Sequence, residues 1–248
     1  MTERTILSVA GSDRMGFLQG LVTNDVPTDA GQIKYAALLT PQGKFISDFF
    51  MVAADEHVML DVASSHAPAL VQRLSMYRLR ADVQIDATSA KVTRGTGTKP
   101  DNAVADPRHD ALGWRDYSGG SVDDQTDWDA IRVTHLIPET GIELTPDTYI
   151  LEAGFERLHG INFKKGCYVG QEIAARMKHK TELKKGLVRV EISGDAQTGD
   201  AITNDEKPAG TLYTVSGSQG IAYLRFDRSS ALKTEKASLR LADWPKIL

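Results

Sequence analysis

An α+β chain ending in a small β-barrel is what the sequence predicts, and three observations predict it. The apolar periodicities of the first half run strand, helix, three strands, helix, strand, the succession of a sheet layer with helices packed on it. At Lys185 the texture changes to short alternating strands divided by glycine-rich turns. The 248 residues exceed one ordinary domain, so two are expected, over 1–184 and 185–248.

Each element has a local cause. Thr5–Val9 alternates as a strand, and Asp13 is placed to cap a helix reaching about Val22, with Phe17, Leu18, Leu21 and Val22 on one face. Ile33–Leu39 and Lys44–Ala53 read as a hairpin around Pro41-Gln42-Gly43, with His57–Val62 as a third strand. Leu70, Leu74 and Tyr77 give helical spacing to Ser65–Leu79, and Asp82–Ala87 returns as a strand. Arg94–Gln125 is dense in turn residues and acids and reads as the least structured stretch. Helices are expected at Trp128–Leu136, stopped by Pro138, at Thr148–Leu158, and at Gly170–His179. Gly186–Ile192, Gly210–Val215, Gly220–Phe226 and Ala237–Leu241 are the barrel strands.

Composition excludes several classes. A 41% hydrophobic and 25% charged chain is ordinary for a soluble globular protein, and a net charge of −4 argues against a protein that coats nucleic acid. No apolar run approaches the roughly 18 residues of a membrane span, so no membrane association is expected. No export or transit pattern is visible at the N-terminus, and with one cysteine a reducing, cytoplasmic setting is the default. Charge is unevenly placed: Asp110–Asp147 holds nine acids against two arginines, and Lys164–Arg189 eight bases against two glutamates. The basic stretch reads either as a solvated helix or as a surface that attracts an anionic ligand.

Lys165-Gly166-Cys167-Tyr168-Val169-Gly170-Gln171-Glu172 contains the only cysteine. One thiol makes no internal disulfide and supplies no four-sulfur metal site, and no metal-ligand spacing appears elsewhere. Lys164, Lys165 and the start of the following helix favour a thiolate, against the bland reading of a small core residue. Together with Leu74–Val83, Asp106-Pro107-Arg108, Trp128–Pro138, Leu151–Phe155 and the run from Lys207 to Asp227, this octapeptide resembles the folate-binding YgfZ family, relatives of the glycine-cleavage aminomethyltransferase.

The resemblance implies a GcvT-like folate-binding region over 1–184, a C-terminal barrel, and tetrahydrofolate as the ligand. It implies a role in assembling or repairing iron–sulfur clusters, including those of tRNA-modifying enzymes, with assembly proteins or client enzymes as partners. Glu152 takes the pterin-binding position, accepting a ring N–H and the exocyclic amine together. The resemblance further implies Trp128, ten residues before Pro138, and Arg176 as flat groups on which a pterin stacks, with a scaffold role as the alternative for each. Tyr35, on a candidate channel strand, and Asn24, in the turn after the first helix, complete the candidates, with structural roles as the alternative for both. Cys167 stands as cluster ligand, redox contact or persulfide carrier, and the sequence does not choose.

The aminomethyltransferase carries aspartate at the thiol position and a pair of adjacent aspartates near the first hairpin. Here Gly43–Asp48 has one carboxylate, and a lone Asp48 reads as a turn or edge residue. That argues against glycine cleavage, whose chemistry needs an acid/base group at the folate, and leaves enzymatic turnover open, a folate-dependent one-carbon transferase being the alternative. A cysteine hydrolase would need His159 or His179 as base, and no local signature supports it. A monomer without direct nucleic-acid binding is expected.

Overall fold

The computed structural model describes residues 3–120, 125–180 and 182–242. Asp123 and Asp124 of the acidic stretch lie outside them. The chain divides into two compact units, Met1–Thr126 with Phe155–Ala175, and Asp127–Gly154 with Arg176–Leu248.

In the first unit, β1 (Arg4–Ala10), β2 (Ile33–Leu39), β3 (Phe45–Ala53), β4 (His57–Ala63) and β5 (Gln84–Ala87) form an antiparallel sheet ordered β2-β3-β4-β1-β5. The two-residue period of each strand sends alternate side chains to opposite faces. One face carries Leu7, Val9, Ala36, Leu38, Phe49, Met51, Val58, Leu60 and Val62. These pack with Leu18 of α1 (Arg14–Gln19) and with Ala67, Leu70 and Leu74 of α2 (Ala67–Arg78). The other face carries Tyr35, Asp48, Phe50 and Asp61, also buried.

Arg94–Gln125 is more ordered than its composition suggests. Strands β6 (Thr93–Gly95), β7 (Val104–Ala105) and β8 (Trp114–Asp116) form a three-stranded sheet ordered β6-β8-β7. Gly95 and Gly113 permit its tight pairing, because a side chain at Gly113 would meet the Gly95 carbonyl at 2.1 Å. The first helix is shorter than expected, closing at Gly20.

The second unit holds α3 (Trp128–His135), capped by the Asp127 carboxylate accepting from the Ala130 amide. The division between units falls within α4 (Gln171–Lys180). No helix forms over Thr148–Leu158. Successive turns replace it, with the Glu152 amide donating to Tyr149 O and the Gly154 amide to Leu151 O, and Gly154 sits at φ +77°. The barrel is closed, in the order β10-β11-β12-β9-β14-β13. Its strands are β9 (Lys185–Gly194), β10 (Ala201–Asn204), β11 (Lys207–Ser216), β12 (Gln219–Arg225), β13 (Leu232–Lys233) and β14 (Ala237–Leu241). The two short strands that complete closure, β10 and β13, carry too few residues for their alternation to be read.

Candidate functional site

Cys167 is exposed, on a loop anchored at its near end by polar contacts to the turn after α1 and packed closely at its far end through Gly170. At the near end, the Gly160 carbonyl accepts from the buried Thr23 hydroxyl at 2.7 Å, and the His159 carbonyl from the Asn24 amide at 2.8 Å. The Asn162 amide group reaches the Asp25 carboxylate at 2.5 Å. At the far end Gly170 sits at φ +83°, where a side chain would come within 2.6 Å of the Thr40 carbonyl. No other residue fits there.

Between these anchors lies Lys165. Its ammonium donates to the carbonyls of Gln19, Val22 and Asn24 at 2.8, 2.5 and 3.1 Å. Three N–H bonds thus meet three acceptors, the last carbonyl of α1 and two in the turn that follows it. Burial draws its pKa down to about 8, against the opposing pull of Asp25. The ammonium also lies 5.1 Å from the centre of the Tyr168 ring. Tyr168 is itself buried, its hydroxyl finds no hydrogen-bond partner among the described residues, and burial pushes its pKa up to about 12. So Lys165, Tyr168 and Gly170 hold the loop, and its exposed crown is Lys164, Gly166 and Cys167. Of the lysine pair expected to support a thiolate, Lys165 is engaged with carbonyls and Lys164 faces solvent. Gln171 opens α4, its amide donating to Tyr168 O, and Glu172 is exposed in the first turn, where a carboxylate suits the helix dipole.

Asn24 and Tyr35 are brought to this loop, in structural roles. The Asn24 side chain ties Tyr35 O to His159 O, and the Tyr35 ring, 1% exposed, stacks on Phe155 with centroids 5.1 Å apart. Its hydroxyl donates to Asp48 at 2.8 Å, and burial together with Asp48 holds the phenol protonated. Asp48 is therefore an interior strand residue, not the turn or edge residue expected.

Around Phe50 the same sheet face collects charge. Arg4, Arg108 and Arg115 place guanidinium carbons 5.6, 4.7 and 3.9 Å from the ring centre. Asp61 accepts from Arg4 at 2.7 Å, Arg115 at 2.5 Å and the Tyr117 hydroxyl at 2.9 Å, and Asp106 pairs with Arg108 at 2.8 Å. The flanking guanidiniums overcome the cost of burial and hold the Asp61 carboxyl down to about 2. Sequence reading missed this cluster. The Asp106-Pro107-Arg108 run was its only signal.

In the second unit, Glu152 is buried and its carboxylate accepts from the Tyr223 hydroxyl of β12 at 2.6 Å. Its carbonyl accepts from the Leu187 amide of β9 at 2.8 Å, an approach that Gly186 permits, since a side chain there would sit 2.8 Å from that carbonyl. Burial and Glu152 both raise the Tyr223 pKa, so the phenol remains the donor. The second carboxylate oxygen has no partner among the described residues. Tyr223 was not foreseen, being one aromatic among alternating barrel residues. Trp128 is buried at the first turn of α3, in the position of a core anchor, and Arg176 is exposed on α4. Among the described residues no group of His, Cys, Asp or Glu could hold a metal ion, and no helix is long and apolar enough to cross a membrane.

Comparison with known proteins supports the fold and refines the resemblance. Residues 1–95 match the GCVT N-terminal domain model and residues 184–246 the CAF17 C-terminal beta-barrel domain model. The aminomethyltransferase T of the glycine cleavage system from Bartonella henselae superposes with a TM-score of 0.75 at 14% identity, covering 99% of this chain and 84% of that one. The fold is therefore GcvT-like with a closed six-stranded barrel. The human iron–sulfur cluster assembly factor IBA57, mitochondrial, is 30% identical over 86% of this chain and 70% of its own length. Its mouse counterpart is 28% identical over 95% and 80%. Both are named mitochondrial, which overturns the cytoplasmic placement: a single reduced thiol distinguishes no one reducing compartment from another. IBA57, and not YgfZ, is the name these relatives carry, and the chain belongs to the IBA57 family of iron–sulfur cluster assembly factors.

Proposed function

We propose that this protein binds tetrahydrofolate and acts in the assembly or repair of iron–sulfur clusters, including those of tRNA-modifying enzymes, through the thiol of Cys167. One observation carries the reading: the only cysteine is exposed on a loop whose flanks are buried and tied down, so the fold displays a sulfur it does not use for packing. A cluster in transit is the cargo, and a single thiol holds none alone, so a partner chain supplies further ligands.

The residues fit a pterin at Glu152. Tyr223 orients the carboxylate through one oxygen and leaves the other for ring N–H donors. Trp128 and Arg176 belong to this proposal as stacking groups, and so does the division at 184/185. When bound, tetrahydrofolate supplies one-carbon and pterin redox chemistry. The chain's own part is to grip the pterin edge at Glu152 and present the thiol at Cys167.

Two measurements test the two halves separately. Glu152→Ala is expected to weaken tetrahydrofolate binding about tenfold or more by calorimetry, the loss of a charged hydrogen-bonded pair being worth roughly 1.5–3 kcal/mol. Equal affinity in a folded variant removes Glu152 from the site. Cys167→Ser is expected to keep fold and folate affinity but to restore no cluster-dependent enzyme activity in cells lacking the protein. Full restoration makes the thiol dispensable and ends the proposal.

A further inference from the structure

Leu79 is 87% exposed and Met76 is 61% exposed, the two large hydrophobic side chains that stand in solvent among the described residues. They are three positions apart, at the carboxyl end of α2 and just beyond it. The backbone makes Leu79 more unusual still. Its φ of 47° and ψ of −107°, with the Ala81 amide donating to Arg78 O at 2.8 Å, are those of the first central position of a type II′ turn. Glycine is the rule there, because a side chain at positive φ is strained. The backbone favours glycine and solvent favours a polar group, yet the residue is leucine. Folding does not account for it.

Charge identifies the neighbourhood. Arg73, Arg78 and Arg80 interleave with Met76 and Leu79, and no acid occurs from His66 through Ala81, in a chain of net charge −4. None of the three arginines makes an ion pair among the described residues. Arg78 turns one N–H to the Val83 carbonyl, and Arg80 is exposed. Other occupants fit less well. The apolar stripe of α2 is already buried through Ala67, Leu70 and Leu74, so the helix has no face to lay into a bilayer. A second copy would set arginines against arginines across a two-fold contact.

We propose that Met76 and Leu79, ringed by Arg73, Arg78 and Arg80, form a docking knob for an acidic protein surface with an apolar cleft that takes the leucine. The strained turn holds the side chain outward before the partner arrives, which lowers the ordering cost of binding. This surface stands apart from the folate reading and from whichever chemistry Cys167 performs.

The test uses the full chain with the photocrosslinking residue p-benzoylphenylalanine in place of exposed Ser75, irradiated in cells, and the adduct identified by its linked peptide. The expected adduct is one protein, joined through an acid-rich surface. Purified, that protein is expected to bind the wild-type chain and to lose at least tenfold in affinity with Leu79→Ser, Leu79→Gly, or Arg73→Glu with Arg80→Glu. An acid-to-lysine change on the partner should recover binding to the arginine variant. Leu79→Gly should leave Tm unchanged or raise it, which shows that leucine serves binding and not the fold. Adducts to lipid or to a second copy, an adduct as strong with Leu79→Ser as without it, or no adduct at all overturns the proposal. So does a Leu79→Gly chain of clearly lower Tm, or a wild-type chain that binds phosphatidylserine vesicles through these arginines.

Discussion

The two faces of the five-stranded sheet are buried alike and built oppositely. One is a dry layer in which Leu60, Met51, Leu7 and Phe49 meet α1 and α2. The other holds Asp61 and Phe50 among three arginines, with Asp48 and Tyr35 beside them. Adjacent residues of one strand, Leu60 and Asp61, thus belong to different kinds of interior. On the first face any apolar residue of similar volume serves, because the hydrophobic effect has no direction. On the second, each charge is tolerable only while its particular partner is present.

Removing one partner should therefore cost most. Asp61→Asn keeps the shape but leaves Arg4 without its carboxylate and Arg115 with only Asp106, at 3.4 Å, in a buried site, and roughly 3 kcal/mol of stability is expected to be lost in denaturant unfolding. Pairing it with Arg115→Met should recover part of that loss. Additive losses would show that the two residues do not stabilise each other. Leu60→Ala, one residue earlier on the dry face, should cost about 3 kcal/mol through lost burial and the cavity left behind, with no such rescue by a second polar change.

These costs explain what was legible in the sequence. Period-two alternation marks Leu60 and Val62 as core whatever lies opposite, so β2, β3 and β4 could be placed within a residue or so of their ends. Nothing local says that Asp61 will meet Arg4 and Arg115, fifty-four or more positions away. The loop 94–125 read as unstructured for the same reason: its order depends on partners in other strands. Thr148–Leu158 misled in the opposite sense, since Leu151, Phe155 and Leu158 have helical spacing and bury as expected, but on turns that Gly154 breaks. Cys167 and Glu152 became candidates through their motifs, whereas Tyr223, which bonds the Glu152 carboxylate, has no motif to announce it.

The charged face also has its own response to acid. Asp61 titrates near 2 in the folded chain against an ordinary 3.8, so its folded pKa is the depressed one. Its stabilising contribution is complete above about pH 4 and is lost as pH falls from there through 2. The difference amounts to about 2 kcal/mol. Unfolding free energies measured from pH 5 down to pH 2 should show that loss, and Asp61→Asn should flatten the slope. An unchanged slope in the variant would assign the acid sensitivity elsewhere.

Lys165 is a third kind of buried polar residue, a cation with carbonyls in place of a carboxylate, and it sharpens the contrast at the smallest scale. Its three hydrogen bonds span more than 140 positions and join the cysteine loop to the end of α1. Burial opposes the charge, as its lowered pKa shows, so the net stabilisation should be small, about 1 kcal/mol. Lys165→Met fills the same volume and leaves the carbonyls of Gln19, Val22 and Asn24 without the ammonium. Global unfolding should then change little, unlike Asp61→Asn, while the loop itself loosens. The Asn162 amide, bonded to Thr23 O at 3.0 Å, is the local reporter. Its hydrogen exchange should become roughly tenfold faster, the equivalent of about 1.4 kcal/mol, with barrel amides such as Leu187 unaffected. If Asn162 exchanges as slowly as before, the loop is held by its contacts to Thr23, Asn24 and Asp25, and the lysine of the cysteine motif has no part in holding it.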